Sequence, residues 1–169
     1  MQLSLIQQNP LKFEIGQSSQ RLVLSRRVVK HFEKHKQNRP NSLEAGGQLF
    51  ARLSALPEVI IEQATGPRPS DFRTRTLYIP DRSAEQPEID YWHKKGLHYV
   101  GDWHTHPEVV PNPSGCDSDS IRESFLKSKH SLHGFLLIIV GTSAFPSGLY
   151  VSLNNEKSEL SLACIPILN

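Results

Sequence analysis

Twelve prolines are spread through the 169 residues, and they limit the length of every element this chain can form. Proline lacks a backbone donor and fixes φ, so strands and helices must end near each one or carry it at an edge. The tightest punctuation is Pro107, Pro111 and Pro113, which impose a non-helical loop directly after the apolar-rich run 97–105. The longest apolar stretch, 135–140, is far short of the about 20 residues a spanning helix needs. Short strands interleaved with a few helices are what such a chain can build.

The order of elements follows from periodicity and punctuation. Residues 11–15 and 21–24 predict a short strand pair, after which Ser25 caps a helix running to about Gln37, with Val28, Val29 and Phe32 turned inward. Residues 44–53 predict a strand whose paired Gly46 and Gly47 let another backbone or a substrate come close. Residues 57–64 and 73–79 are expected to continue the sheet across the turn-rich link 66–70. A helix follows over 85–95, with Gly96 at its end and Lys94 and Lys95 suited to the negative pole of its dipole. Residues 97–105 then predict a strand. Helical structure resumes with Asp117 or Ser118 as cap and Ile121, Phe125 and Leu126 on its apolar side, and strands are expected over 134–141, 148–153 and 160–165. Strands before, between and after helices imply a mixed α/β fold, and no repeat or long linker divides residues 1–169 into more than one domain.

Composition narrows the class without naming it. Apolar residues make up 37% of the chain and charged residues 21%, as in soluble globular proteins, so disordered and fibrous classes are excluded. A net charge of +2 gives no reason to expect nucleic acid as a partner. Residues 1–8 lack the basic and apolar regions of a secretory signal, which points to a cytoplasmic location with no membrane association. Cys116 and Cys164 are the two cysteines and are expected to be reduced, Cys164 as a small buried hydrophobe.

The chemistry is concentrated in Trp103-His104-Thr105-His106-Pro107. Residues two apart on a strand project to the same face, so His104 and His106 can aim both imidazoles at one point. Asp117, at a helix start beyond the proline-bearing loop, can return a carboxylate to that point. Two imidazoles and one carboxylate make a tetrahedral zinc site with its fourth position open to water. Hydrolysis at such a site also needs a group that takes and redelivers a proton, and Glu44, on a separate strand beside small residues, fits that role. Ser114, three residues before Asp117, can donate to a developing oxyanion or orient the water.

Taken together, Glu44-Ala45-Gly46-Gly47, His104-Thr105-His106, a seven-residue gap and Ser114-Gly115-Cys116-Asp117 resemble the JAMM motif of the JAB/MPN metallopeptidases. The resemblance extends over roughly residues 20–165. It implies a curved mixed sheet flanked by helices, of the cytidine-deaminase-like kind. It implies hydrolysis of isopeptide or peptide bonds after the C-terminal glycine of ubiquitin or a ubiquitin-like protein, with Zn2+ on His104, His106 and Asp117, Glu44 as general base and then acid, and Ser114 stabilising the tetrahedral intermediate. The compact length and the stretch from Arg73 to Trp103 are similar to stand-alone bacterial members, some of which accompany an E1/E2-like ligase in CBASS antiphage operons and deconjugate its nucleotidyltransferase targets. Processing of a sulfur-carrier or other small carrier protein and a non-catalytic MPN scaffold are the alternatives within the family.

Outside the motif the expectations are plainer. His31 and His35, at i and i+4 in a Lys/Arg-rich stretch without a third ligand, are expected to be solvated. Trp103 is expected in the core or the pocket wall. Arg68, Arg73 and Arg75 form a basic group that is expected to be a solvated loop and strand edge, with an acidic substrate surface as the alternative partner.

Overall fold

The apolar run 135–140 is buried along its whole length, and the direction of its side chains explains the layering of the molecule. Leu136, Ile138 and Val140 join one apolar cluster, while Phe135, Leu137 and Ile139 join another. A strand covered on both faces reads as a continuous apolar run, not an alternating one. The computed structural model, which describes residues 9–53 and 57–167, sets this strand in an eight-stranded mixed sheet with helices on both faces. The reading of residues 1–8 as lacking a secretory signal falls outside the described residues.

In chain order the elements are β1 (Leu11–Glu14), β2 (Arg21–Leu24), α1 (Arg26–His35), β3 (Gly46–Arg52), β4 (Glu58–Ala64), β5 (Phe72–Arg73), β6 (Tyr78–Ile79), α2 (Arg82–His93), β7 (His98–Thr105), α3 (Gly115–Lys127), β8 (Phe135–Val140), β9 (Leu149–Asn154) and β10 (Glu159–Ser161). The main sheet runs β1-β2-β4-β3-β7-β8-β9-β10, with β2–β4 and β7–β8 parallel and the other pairs antiparallel. Beyond β10 the chain returns to β1: the Glu14 N–H donates to Ala163 O at 3.0 Å and the Ile165 N–H to Lys12 O at 2.8 Å. The sheet therefore curls until the chain beyond β10 meets β1. The predicted last strand, 160–165, is split into β10 and this single bridge of Phe13 with Cys164.

One face of the curl is filled by α1, whose Val28, Val29 and Phe32 are buried against residues from β2, β3, β4, β7 and β8. Ser25 caps it by accepting the Val28 N–H, and the helix ends at His35, two residues before the predicted Gln37, because Lys36 leaves helical backbone angles. The other face is covered by α3 through Ile121, with Phe125 packed alongside. Helix α2 starts at Arg82, three residues earlier than predicted, because the Asp81 carboxylate accepts the Ser83 N–H at 3.0 Å and caps it.

Two further expectations fail. Residues 73–79 do not continue the sheet: β5 and β6 pair only with each other, as a separate hairpin. The base of that hairpin is held by Asp71, whose fully buried carboxylate accepts the Arg68 N–H at 2.6 Å, the Asp81 N–H at 2.8 Å and the Tyr78 hydroxyl at 3.1 Å. Satisfying these donors locally removes the need for pairing with the main sheet. Helix α3 is capped by Ser114, not by Asp117 or Ser118, so it begins a turn closer to the proline loop. No helix among the described residues is long and apolar enough to cross a membrane.

Candidate active site

Strand β7 sorts its side chains between the two faces of the sheet. Trp103 belongs to the α1 side, buried among that cluster with its ring 5.1 Å from Phe32. Asp102 and His104 turn the other way and line a cavity of about 100 Å³ together with Glu44 and Asp117. A larger groove, about 970 Å³ between α2 and α3, contains none of the predicted site residues.

The end of β7 is pinned from both neighbours. The Thr105 N–H donates to Ala45 O at 2.8 Å and the His106 N–H to Val140 O at 2.9 Å. With the backbone so fixed, His104 Nε2 and His106 Nε2 stand 3.1 Å apart. Asp117 meets both, Oδ1 at 3.1 Å from His104 Nε2 and Oδ2 at 3.4 Å from His106 Nε2. Ligands about 2.0–2.1 Å from a tetrahedral zinc are about 3.3 Å from one another, so these separations and this donor set fit such an ion.

Asp117 is placed by the helix it begins. The Ser114 N–H donates to Asp117 Oδ2 at 2.7 Å, and the Asp117 N–H donates to Ser114 Oγ at 3.1 Å, a reciprocal capping box. The motif's Ser-x-x-Asp spacing is therefore also the spacing that starts α3. Because Ser114 Oγ accepts here, its hydroxyl proton stays available for another acceptor. Burial opposes the Asp117 charge, but hydrogen bonds from His104 and His106 outweigh it and hold the carboxyl well below the usual range.

Glu44 reaches the histidine pair from about sixty residues upstream in the sequence. It lies just before β3, not within the predicted strand, and only 5% of it is exposed. One carboxylate oxygen and a ring nitrogen from each of His104 and His106 all lie within 4.8 Å of one another. Among the described residues, no side chain donates a hydrogen bond to that carboxylate. Burial pushes it up to about 7, with the Asp117 charge adding to the rise and His106 opposing it.

The space that Glu44 occupies depends on the paired glycines. A Cβ on Gly47 would stand 1.9 Å from the Thr65 carbonyl oxygen, and one on Gly46 2.5 Å from the Tyr78 ring. The expected close approach is thus made by the chain itself, at the 64–66 backbone and the hairpin. Both sides of the site are held against the sheet by these contacts.

Several residues that the sequence reading did not single out support the site from behind. Thr105, between the two histidines, accepts the Ala45 N–H at 2.9 Å and donates to Gln37 Oε1 at 2.8 Å. Gln37 Nε2 in turn donates to Arg75 O at 2.8 Å. Strand alternation alone would have flagged Thr105 and Asp102, the residues facing away from and alongside His104. Asp102 accepts the Tyr99 hydroxyl at 2.9 Å, and burial pushes its carboxyl up to about 7. Glu108 Oε2 lies 3.5 Å from His106 Nδ1, behind the ring.

Other expectations need correcting. His31 and His35 are not solvated: their rings lie 5.2 and 5.8 Å from Trp103, and His31 Nε2 is 2.9 Å from Gly66 O. Burial pushes His35 down to about 4, with His31 adding to the fall. The three arginines do not form one solvated patch either. Arg68 is largely buried and paired with Glu88 at 2.9 Å, while Arg73 and Arg75 donate to backbone carbonyls. Cys116 is exposed on the first turn of α3 and both cysteines are free thiols, as expected.

The model of prokaryotic homologs of the JAB domain matches residues 25–153, a span that includes all five predicted site residues. The chain belongs to this family. Among JAB relatives, a CD-NTase/cGAS isopeptidase of Pseudomonas aeruginosa is 32% identical over 135 residues, covering 78% of this chain and 82% of that one. A probable metalloprotease of Sinorhizobium fredii is 34% identical over 89 residues, covering 50% of this chain and 54% of that one. A Desulfitobacterium hafniense protein solved in solution shares the JAB chain's fold with a TM-score of 0.57 at 19% identity, over 82% of this chain and 87% of that one.

Proposed function

We propose that this JAB protein is a zinc-dependent isopeptidase that cleaves after the C-terminal glycine of a ubiquitin-like or similar tail and so releases a conjugated target protein. The observation that carries the reading is the geometry at His104, His106 and Asp117, with the two Nε2 atoms 3.1 Å apart and an Asp117 oxygen 3.1 Å from one and the other oxygen 3.4 Å from the second, beside a Glu44 carboxylate to which no side chain among the described residues donates. The relatives named CD-NTase/cGAS isopeptidase make a CD-NTase conjugate the first substrate to test.

In this reading His104, His106 and Asp117 hold the metal. A zinc ion held there would supply polarisation of the scissile carbonyl and a more acidic attacking water. Glu44 takes a proton from that water as its oxygen bonds to the carbonyl carbon. The Ser114 hydroxyl donates to the oxyanion that develops on the carbonyl oxygen. Glu44 then delivers its proton to the leaving amine nitrogen as the C–N bond breaks, which a carboxyl near neutrality suits in both directions.

The test is a cleavage assay on a CD-NTase carrying an isopeptide-linked or ligase-linked partner, run with the wild type and with Glu44→Gln. The wild type is expected to release the free partner with an intact C-terminal glycine. Glu44→Gln is expected to retain metal and lose cleavage, and undiminished cleavage by that variant would refute the mechanism.

A further inference from the structure

Glu44 is a buried acid whose carboxylate accepts no side-chain hydrogen bond among the described residues, so its position must come from its backbone. Several hydrogen bonds at residues 43–45 fix that backbone. The Glu44 N–H donates to Thr74 O at 2.7 Å. The Ala45 N–H donates to Thr105 Oγ1 at 2.9 Å. Arg73 Nε donates to the Glu44 carbonyl oxygen at 2.6 Å, and Arg73 Nη2 reaches the Leu43 carbonyl at 3.3 Å.

Arg73 is the one side chain of the β5–β6 hairpin that grips the glutamate's own peptide group. Its guanidinium spans two successive carbonyls, a geometry that the rigid fork of arginine provides and the single point of a lysine ammonium does not. The hairpin that carries it is anchored separately, through Asp71 and Tyr78, so the grip is delivered from a fixed base. The same pairing that puts Arg73 opposite Tyr78 turns Phe72 and Ile79 outward, where both are exposed. One face of the hairpin therefore holds the glutamate while the other meets solvent.

We infer that Arg73 is a positioning residue for Glu44: it sets where the carboxylate stands relative to the histidine pair by clamping the backbone at residues 43 and 44. The inference rests on the proposed role of Glu44 as the proton carrier. It also gives Arg73 a role inside the site, where the sequence suggested a solvated charge.

The experiment is a double-mutant cycle of Arg73→Ala and Glu44→Gln, read as kcat and KM on the CD-NTase conjugate, with Arg73→Lys as the conservative variant and hydrogen exchange at the Glu44 amide as a readout independent of turnover. Misplacing a reacting group by about 1 Å costs about a hundredfold, so Arg73→Ala is expected to lower kcat by about ten- to a hundredfold with KM within about twofold. Added to Glu44→Gln it is expected to cost nothing more, because the carboxylate it positions is already gone. Exchange at the Glu44 amide is expected to quicken in Arg73→Ala, and Arg73→Lys, which keeps one donor, is expected to retain more activity than Arg73→Ala.

A loss that adds fully to that of Glu44→Gln, or one that appears in KM, would overturn the positioning role. So would unchanged exchange at Glu44 in a folded Arg73→Ala protein. If Glu44→Gln alone leaves cleavage intact, the proposed mechanism has failed, not the assignment of Arg73. The exchange measurement still decides the clamp in that case.

Discussion

The two faces of the last residues of β7 make the most instructive contrast in the molecule. Toward α1, Trp103 donates its ring N–H to Thr65 O at 2.8 Å and Thr105 both donates and accepts, so the polar atoms of both side chains are paired. Toward α3, Asp102, His104 and the adjoining His106 meet other titratable groups, and the neighbouring Glu44 carboxylate, beside a cavity, accepts no hydrogen bond from a side chain among the described residues. One face is arranged as protein interiors usually are, with buried polar groups satisfied. The other gathers carboxylates with shifted pKa values around two imidazoles, as sites that move protons do. The difference teaches that a single strand can position its chemistry with one set of alternating residues and secure it with the other.

Substitutions on the two faces should therefore fail in different ways. The largest effect is expected from Glu44→Gln, which removes the proposed proton carrier and leaves its packing: kcat should fall about 10²–10⁴-fold while the fold and metal content stay as they were. A loss of stability without that fall in kcat would erase the contrast. Trp103→Ala, on the packed face, should show the reverse, a destabilisation of about 3–5 kcal/mol in denaturant unfolding. A fully folded Trp103→Ala protein that is merely inactive would place the tryptophan in the chemistry instead.

Thr105→Val tests the seam between the faces. It strips a partner from the buried Ala45 N–H and from Gln37, which should cost about 1–3 kcal/mol of stability and should lower kcat through Glu44, with metal affinity unchanged. The acid itself gives a pH signature in the metal-free protein. Its folded pKa, about 7, lies above its ordinary value of 4.5, so the folded state binds the proton more tightly. The resulting stability is complete below about pH 4.5 and is lost as pH rises through 7. Glu44→Gln is thus expected to raise the melting temperature relative to wild type at pH 8 by about 4 °C and to show no such gain at pH 4. The smallest effect is expected at Cys116, exposed on α3: Cys116→Ser should change stability by less than about 0.5 kcal/mol and leave cleavage as it is.

Much of the site was legible because its geometry is local. The spacing of His104 and His106 on a strand, and of Ser114 and Asp117 on a helix start, follows from backbone periods that are visible in any sequence. The strands 135–140 and 149–154 were legible for the same reason. What escaped depends on partners far away in the chain. Arg73 and Arg75 looked like free charges because a backbone carbonyl leaves no mark in sequence as an acceptor, and His31 and His35 looked solvated because their neighbour is Trp103 on another element. The 73–79 segment has the composition of a sheet strand, yet Asp71 satisfies the donors at its base and the hairpin stands alone. The start of α3 was misplaced by three residues because Ser114 was read for its chemistry and not also as a cap, although it serves as one.

The central claim is that His104, His106 and Asp117, and not Glu44, hold the metal. Diffraction from crystals grown with zinc, collected on either side of the zinc absorption edge, tests it most directly. The expected result is one anomalous peak about 2.0–2.2 Å from His104 Nε2, His106 Nε2 and one Asp117 carboxylate oxygen, with Glu44 beyond bonding distance. A peak bonded to Glu44 in place of Asp117, or no peak at the histidine pair, would contradict it.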